Sequence, residues 1–216
     1  MNSRFPVLAA RAAAAEARRD TFLVVLAGSS TTAGTGSSDR RRTSYAATLR
    51  RAVLSRHPRA RFENRGVGGT TAATYLPDAV CDAIAAKAPA AVIHMVGGND
   101  YARGVTPSAY GEALRGRLDR LDAAVALPCQ HVLVHTFARP DVREPAAPWS
   151  AFRAELDAAV EGHVNREVID VTAAFEAVGV GLHGTDPLGL LAADGIHPGD
   201  GGHRLLGRLV AGALLD

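Results

Sequence analysis

The stretch Phe22-Leu-Val-Val-Leu-Ala-Gly28-Ser29-Ser30-Thr31-Thr32-Ala-Gly34 does most to limit what this chain can fold into. Six apolar residues rich in branched side chains read as a strand buried on both faces. The run stops at Gly28, and a hydroxyl-rich turn follows. In an open parallel sheet, the loop beyond the carboxyl end of a strand is where ligands are met. A serine in that turn is held outward by the strand below it, but its hydroxyl is a weak nucleophile until a base is supplied. The turn is no phosphate cradle. A P-loop has four residues between its glycines and then a lysine, whereas five separate Gly28 from Gly34, and Thr35 stands where lysine is required.

The rest of the chain repeats the strand–helix alternation. Ala60–Asn64, Ala90–Val96, His131–Thr136 and Glu167–Val171 read as four further strands. Helical periodicity covers a segment capped by Thr43 or Ser44 and running to about His57, then Thr74–Lys87, Pro107–Ala126, Trp149–Val164 and Gly202–Leu215. Pro77 is tolerated only near the first turn of its helix. Pro6–Arg19 reads as an amphipathic helix ahead of the first strand. The glycine-rich passage Gly179–Gly189 reads as loop with at most one short helical turn. Strands alternating with helices at this spacing predict a parallel sheet covered on both faces. With 216 residues and no repeat, low-complexity tract or linker, the chain is expected to form one domain over 1–216, with 1–20 as an N-terminal helical extension.

Composition excludes several classes of function. A net charge of +2 leaves no case for a nucleic-acid footprint, and no apolar run approaches membrane-spanning length. Arg11 interrupts the early apolar stretch and Glu16–Asp20 closes it with charge, unlike a secretory leader, so a cytoplasmic protein is expected. Cys81 and Cys129 are too far apart for metal-type spacing and read as buried or incidental thiols. His94 and His135 lie inside apolar strands and read as hydrogen-bonded core histidines, with no metal predicted. Arg40-Arg41-Arg42 either meets an anionic substrate or is a solvated loop, the latter being the ordinary role of a short charge run.

Each of the first three strands ends in an unusual loop: Ser29-Ser30, then Gly66–Thr70, then Gly97-Gly98-Asn99-Asp100. In a parallel sheet these gather at one edge, bringing together a hydroxyl, close backbone N–H groups and a side-chain amide. Acyl transfer needs those parts, a nucleophile and donors aimed at an oxyanion. The base arrives late in the chain. Asp194 and His197 are three residues apart, a spacing that lets the carboxylate hold the imidazole toward a serine. Asp200 and His203 repeat that spacing, but His203 falls inside the closing helical run and reads as a packing or capping residue.

Taken in order, these blocks resemble the SGNH (GDSL-type) hydrolases from Val24 to about Gly207. Gly28-Ser29-Ser30-Thr31-Thr32 is similar to the first family block, Asn64–Thr71 to the second, Gly97–Asp100 to the third and Asp194–Pro198 to the last. The resemblance implies a flavodoxin-like three-layer α/β/α sandwich of about five parallel strands. It also implies Ser30 as nucleophile, His197 as general base and Asp194 as its orienter. The oxyanion hole would be the Ser30 and Gly69 backbone N–H groups and the Asn99 amide. One departure stands out: the family usually has aspartate where this chain has Ser29, which leaves two adjacent hydroxyls, and alignment by Gly28 and Thr32 selects Ser30.

Ser29, Arg139 and His183 are candidates to line the substrate site, with His183 otherwise a surface loop residue. Asp100 is expected to brace its loop. The reading is a serine esterase without cofactor, acting on a small-molecule ester with a small acyl group such as acetyl. An acyltransferase or a non-catalytic binding module stands as the alternative.

Overall fold

The computed structural model describes residues 3–180 and 186–215. Strands β1 (Phe22–Gly28), β2 (Ala60–Gly66), β3 (Ala91–Met95), β4 (Gln130–His135) and β5 (Arg166–Asp170) form one sheet in the order β2-β1-β3-β4-β5. Every neighbouring pair is parallel. This is the flavodoxin-like order, and it reverses between β1 and β3, where diverging loops open a crevice at the carboxyl ends.

Helices cover both faces. On one lie α1 (Pro6–Arg18), α3 (Tyr45–Arg56), α8 (Thr172–Ala177) and α9 (Asp200–Leu215). On the other lie α4 (Asp78–Ala85), α6 (Pro107–Ala124) and α7 (Trp149–Val160). The single-turn α2 (Ser30–Ala33) and the short α5 (Gly98–Ala102) sit at the strand ends. The apolar run of β1 is continuous because both its faces are core: Val24 and Leu26 enter one cluster, Val25 and Ala27 the other. The expected α/β/α sandwich is therefore observed.

Local deviations have local causes. The helix expected from Thr74 begins only at Asp78, with Pro77 as its N-cap. Ahead of it, Thr71 N–H donates to Thr74 Oγ1 (3.0 Å) and Ala72 N–H to the buried Asp100 carboxylate (3.1 Å), which folds that segment as a turn. Ser44 and Thr106 cap α3 and α6 by accepting from Ala47 and Ala109. Helix α1, read from sequence as an extension, places Ala12 and Ala15, with Phe5 at its N-cap, in the core cluster beside β1. Its Arg11 guanidinium donates to the carbonyls of Ala88 (2.8 Å), Pro89 (3.4 Å) and Pro128 (3.1 Å), tying the helix to the loops that enter β3 and β4. Cys81 and Cys129 are buried free thiols, and burial pushes Cys129 up to about 12. Among the described residues, no helix is long and apolar enough to cross a membrane.

A polar chain runs through one core layer. Tyr75 Oη meets His94 Nδ1 (3.0 Å), His94 Nε2 meets His131 Nδ1 (3.0 Å), and His131 Nε2 meets Asp122 Oδ1 (3.0 Å). Asp122 also accepts from Arg166 (2.7 Å) and Asn165 (2.8 Å). An ionised carboxylate only accepts, so His131 Nε2 donates to Asp122. With the His131 ring neutral, His94 Nε2 then donates to His131 Nδ1 and Tyr75 Oη to His94 Nδ1. Burial holds His94 well below the usual imidazole range, in keeping with this neutral ring.

Candidate active site

Ser30 is the first residue of α2, and Ser29 is its N-cap. The turn is wedged between strands that leave no room for side chains. A Cβ on Gly28 would lie 2.2 Å from the Met95 carbonyl oxygen, and one on Gly66 would lie 2.3 Å from Ala33 N. Asn64 ties the same turn to β2, its Nδ2 donating to the Thr32 carbonyl (2.6 Å) and its Oδ1 accepting from Gly66 N–H (2.8 Å). Gly66→Ala is therefore expected to displace α2 and lower ester turnover by about 10²-fold, since displacements near 1 Å at a reacting group cost that much. Kinetics of the purified variant check this, and unchanged kcat would contradict it.

The imidazole comes from the loop before α9. Asp194 Oδ1 accepts from the backbone N–H groups of Ile196 and His197 (both 2.9 Å), which leaves Oδ2 facing His197 Nδ1 at 2.6 Å. His197 Nε2 lies 2.8 Å from Ser30 Oγ. Burial acts to raise the Asp194 pKa, but the hydrogen bonds from the His197 ring and the two backbone N–H groups outweigh it and bring Asp194 down to about 2. The carboxylate is thus ionised, Nδ1 carries its proton, and Nε2 is left to accept from the Ser30 hydroxyl.

This loop is docked on the early part of the chain. A Cβ on Gly36 would fall 2.2 Å from the Pro198 carbonyl oxygen. Ser38 donates through N–H (2.8 Å) and Oγ (2.6 Å) to Asp200. Buried His203 accepts from Tyr45 N–H at Nδ1 (3.2 Å) and donates from Nε2 to the Thr35 carbonyl (2.9 Å). The second Asp–His pair thus fastens α9 to α3 and the loop before it, and both nitrogens of His203 are occupied there.

Asn99, in the first turn of α5, completes the set. Its Nδ2 donates to the Thr70 carbonyl (2.9 Å), and its Oδ1 accepts from Arg139 Nη1 (3.1 Å). The second Nδ2 proton remains for the cleft that Asn99 lines with Ser29, Ser30, Arg139 and His197. Apolar walls come from Met95, Val96, Phe137 and Ile196, and the cleft volume is about 60 Å³. Gly68 passes beside Ser30: a Cβ added to it would lie 3.9 Å from Ser30 Cβ. Gly69 follows with φ +78°, and its carbonyl accepts from Arg103 Nη2 (2.9 Å). Asp100 braces the Ala72 turn, and burial raises it to about 6.

Among the remaining candidates, Arg40, Arg41 and Arg42 are exposed, His135 is buried with its ring stacked on Trp149 at 4.5 Å, and His183 lies outside the described residues. Arg139 lines the cleft, but its charge is matched by Asp141, which accepts from Nε (2.9 Å) and Nη2 (2.5 Å). The supports supplied by Arg103 and Asp141 carried no sequence signal. A larger cavity of about 520 Å³ lies under α1, between Leu8, Phe22, Val53 and Phe62. Its polar neighbours Ser3, Glu16 and His57 form no hydroxyl–imidazole–carboxylate relay among the described residues, so the chemistry is assigned to the smaller cleft.

A model of the GDSL-like Lipase/Acylhydrolase family matches residues 26–205, a span that contains every residue lining this cleft except Leu206. The chain belongs to that family. It is a carboxylic ester hydrolase of the SGNH/GDSL type. A search of curated proteins finds no match. Solved structures share the fold of this SGNH hydrolase. A two-domain esterase active on acetylated mannans superposes with a TM-score of 0.73 at 21% identity, covering 98% of this chain and 52% of the other. The SGNH hydrolase thus spans about half the length of that relative. TesA superposes with a TM-score of 0.70 at 25% identity, covering 90% of this chain and 98% of the other. A variant of an acetyl xylan esterase from Geobacillus stearothermophilus gives 0.70 at 23% identity, with 90% and 95% covered.

Proposed function

We propose that this SGNH hydrolase cleaves esters of small acyl groups, acetyl above all, through an acyl-enzyme on Ser30. The observation that carries the reading is the continuous relay from Ser30 through His197 to Asp194, at 2.8 and 2.6 Å, opening on a cleft of only about 60 Å³. Ser30 Oγ attacks the acyl carbonyl as its proton passes to His197 Nε2, and Asp194 stabilises the imidazolium that results. The backbone N–H groups of Ser30 and Gly69 and the side-chain amide of Asn99 receive the oxyanion. Collapse expels the alcohol, which takes the proton from His197. Water, deprotonated by the same ring, then releases the carboxylic acid and restores the Ser30 hydroxyl.

The apolar walls and small volume favour a short acyl chain. Two of the structural relatives act on acetylated polysaccharide according to their descriptions, which agrees with that choice. Side-chain exposures of 20% for His197 and 41% for Asp194 leave water a path to the acyl-enzyme, which favours hydrolysis over transfer. The test is kcat/KM for p-nitrophenyl esters from acetate to octanoate. The acetate is expected to exceed the octanoate by about tenfold or more, because surplus methylenes that do not fit a pocket cost roughly that factor. A rate that rises with chain length would overturn the short-acyl assignment.

A further inference from the structure

We propose that Arg139, held by Asp141, is a positioning residue that fixes the Asn99 amide with its N–H toward the developing oxyanion. The inference rests on the esterase reading of the cleft and extends it to residues outside the relay.

A side-chain amide is nearly symmetric in shape, so its orientation is set by what its two ends meet. At Asn99 both ends are read. The Thr70 carbonyl oxygen, 2.9 Å from Nδ2, demands a donor. Arg139 Nη1, 3.1 Å from Oδ1, demands an acceptor. Turning the amide over would set oxygen against oxygen at one end and donor against donor at the other. Arg139 is held in its turn. Nε and Nη2 form a two-point contact with the Asp141 carboxylate, leaving Nη1 aimed at Asn99. The pairing with Asp141 also offsets the guanidinium charge, so Arg139 offers little to an anionic substrate and acts through the amide. Donation into Oδ1 polarises the amide and makes its remaining N–H a stronger donor. Because a charge developing in the transition state gains most from a preorganised donor, the effect belongs in kcat.

The experiment is steady-state hydrolysis of p-nitrophenyl acetate by the full chain and by Arg139→Met, Arg139→Lys, Asp141→Asn, Asn99→Ala and the double variant Asn99→Ala/Arg139→Met, each checked for its melting temperature. Losing an oxyanion donor outright costs about 10²–10³ in kcat. Arg139→Met is expected to lose about tenfold to thirtyfold in kcat, a fraction of that, with KM within about twofold. On the Asn99→Ala background the same change is expected to cost nothing further, since the amide it orients is gone. Arg139→Lys should restore little, because an ammonium cannot offer two parallel N–H groups to Asp141 and a third to Asn99. Asp141→Asn should lose about threefold in kcat, the weakened neighbour of a retained contact.

Equal losses on both backgrounds, a loss confined to KM, or a kcat within about twofold of the parent in Arg139→Met would each overturn the proposal. Should Arg139→Met fail to fold, the kcat losses in Arg139→Lys and Asp141→Asn decide, and their absence overturns it equally. A parent protein without activity on any ester and without reaction at Ser30 would instead overturn the reading of the cleft itself.

Discussion

Ser30→Ala and His197→Ala are each expected to lower kcat on p-nitrophenyl acetate by about 10⁴-fold or more, and the double variant no further. In the proposed mechanism the relay works as a unit: without His197 the hydroxyl has no acceptor, and without Ser30 the imidazole has nothing to activate. What remains is the rate supplied by binding and oxyanion donors alone. Ser29→Ala should keep most of the activity, because His197 Nε2 meets Ser30 Oγ and Ser29 stands at the N-cap of α2. A fluorophosphonate probe gives the same answer without a substrate. Intact mass should show one adduct in the parent, retained in Ser29→Ala and lost in Ser30→Ala. An unlabelled parent would point to a binding module in place of a catalyst.

Asp122→Ala is expected to destabilise the fold by about 1.5–3 kcal/mol, the usual cost of losing hydrogen bonds to a charged group. Arg166, its side chain 3% exposed, would keep Asp119 as its one counter-charge among the described residues, and His131 Nε2 would lose its acceptor. Urea unfolding at neutral pH measures the change, and a loss below about 1 kcal/mol would mean that water replaces the carboxylate at no cost. The same network makes stability sensitive to acid. His94 has a folded pKa below the ordinary 6.5 because burial opposes its charge. Above that value folded and unfolded chains both hold the ring neutral. Below it the unfolded chain takes up a proton that the folded one excludes, so stability falls as pH drops through about 6.5 and downward. Replacing His94 with an uncharged residue should flatten that part of the pH–stability curve.

Much of the site was legible in the sequence because its parts sit where strands must end. Gly28, Gly66 and Gly97 break apolar or extended runs, and the functional groups follow directly. The separation of His197 from its neighbour His203 was legible too, since one lies on a loop and the other within a helical period. What was not legible depends on contacts between distant segments. α2, α5 and α8 are too short to show a period. The helix expected from Thr74 starts late because Asp100, far along the chain, holds the preceding turn. His94 could be read as a hydrogen-bonded core residue, but its partner His131 follows only from the pairing of β3 with β4. Arg139 was visible as a residue at the right edge, whereas its contacts with Asn99 and Asp141 arise only where the loops after β3 and β4 meet.

The clasp between the loop at Gly36–Ser38 and the start of α9 gives catalysis an unusual dependence on the completeness of folding. The hydroxyl and its base are separated by 167 positions, and the fastenings between them, Ser38 to Asp200 and His203 to Thr35 and Tyr45, form only after the last helix has docked. On the proposed mechanism, an intermediate lacking that helix is expected not to turn over ester. In a denaturant series, turnover should vanish in step with the loss of helical circular dichroism, which makes a simple colorimetric rate a gauge of how much of the population has reached its native state.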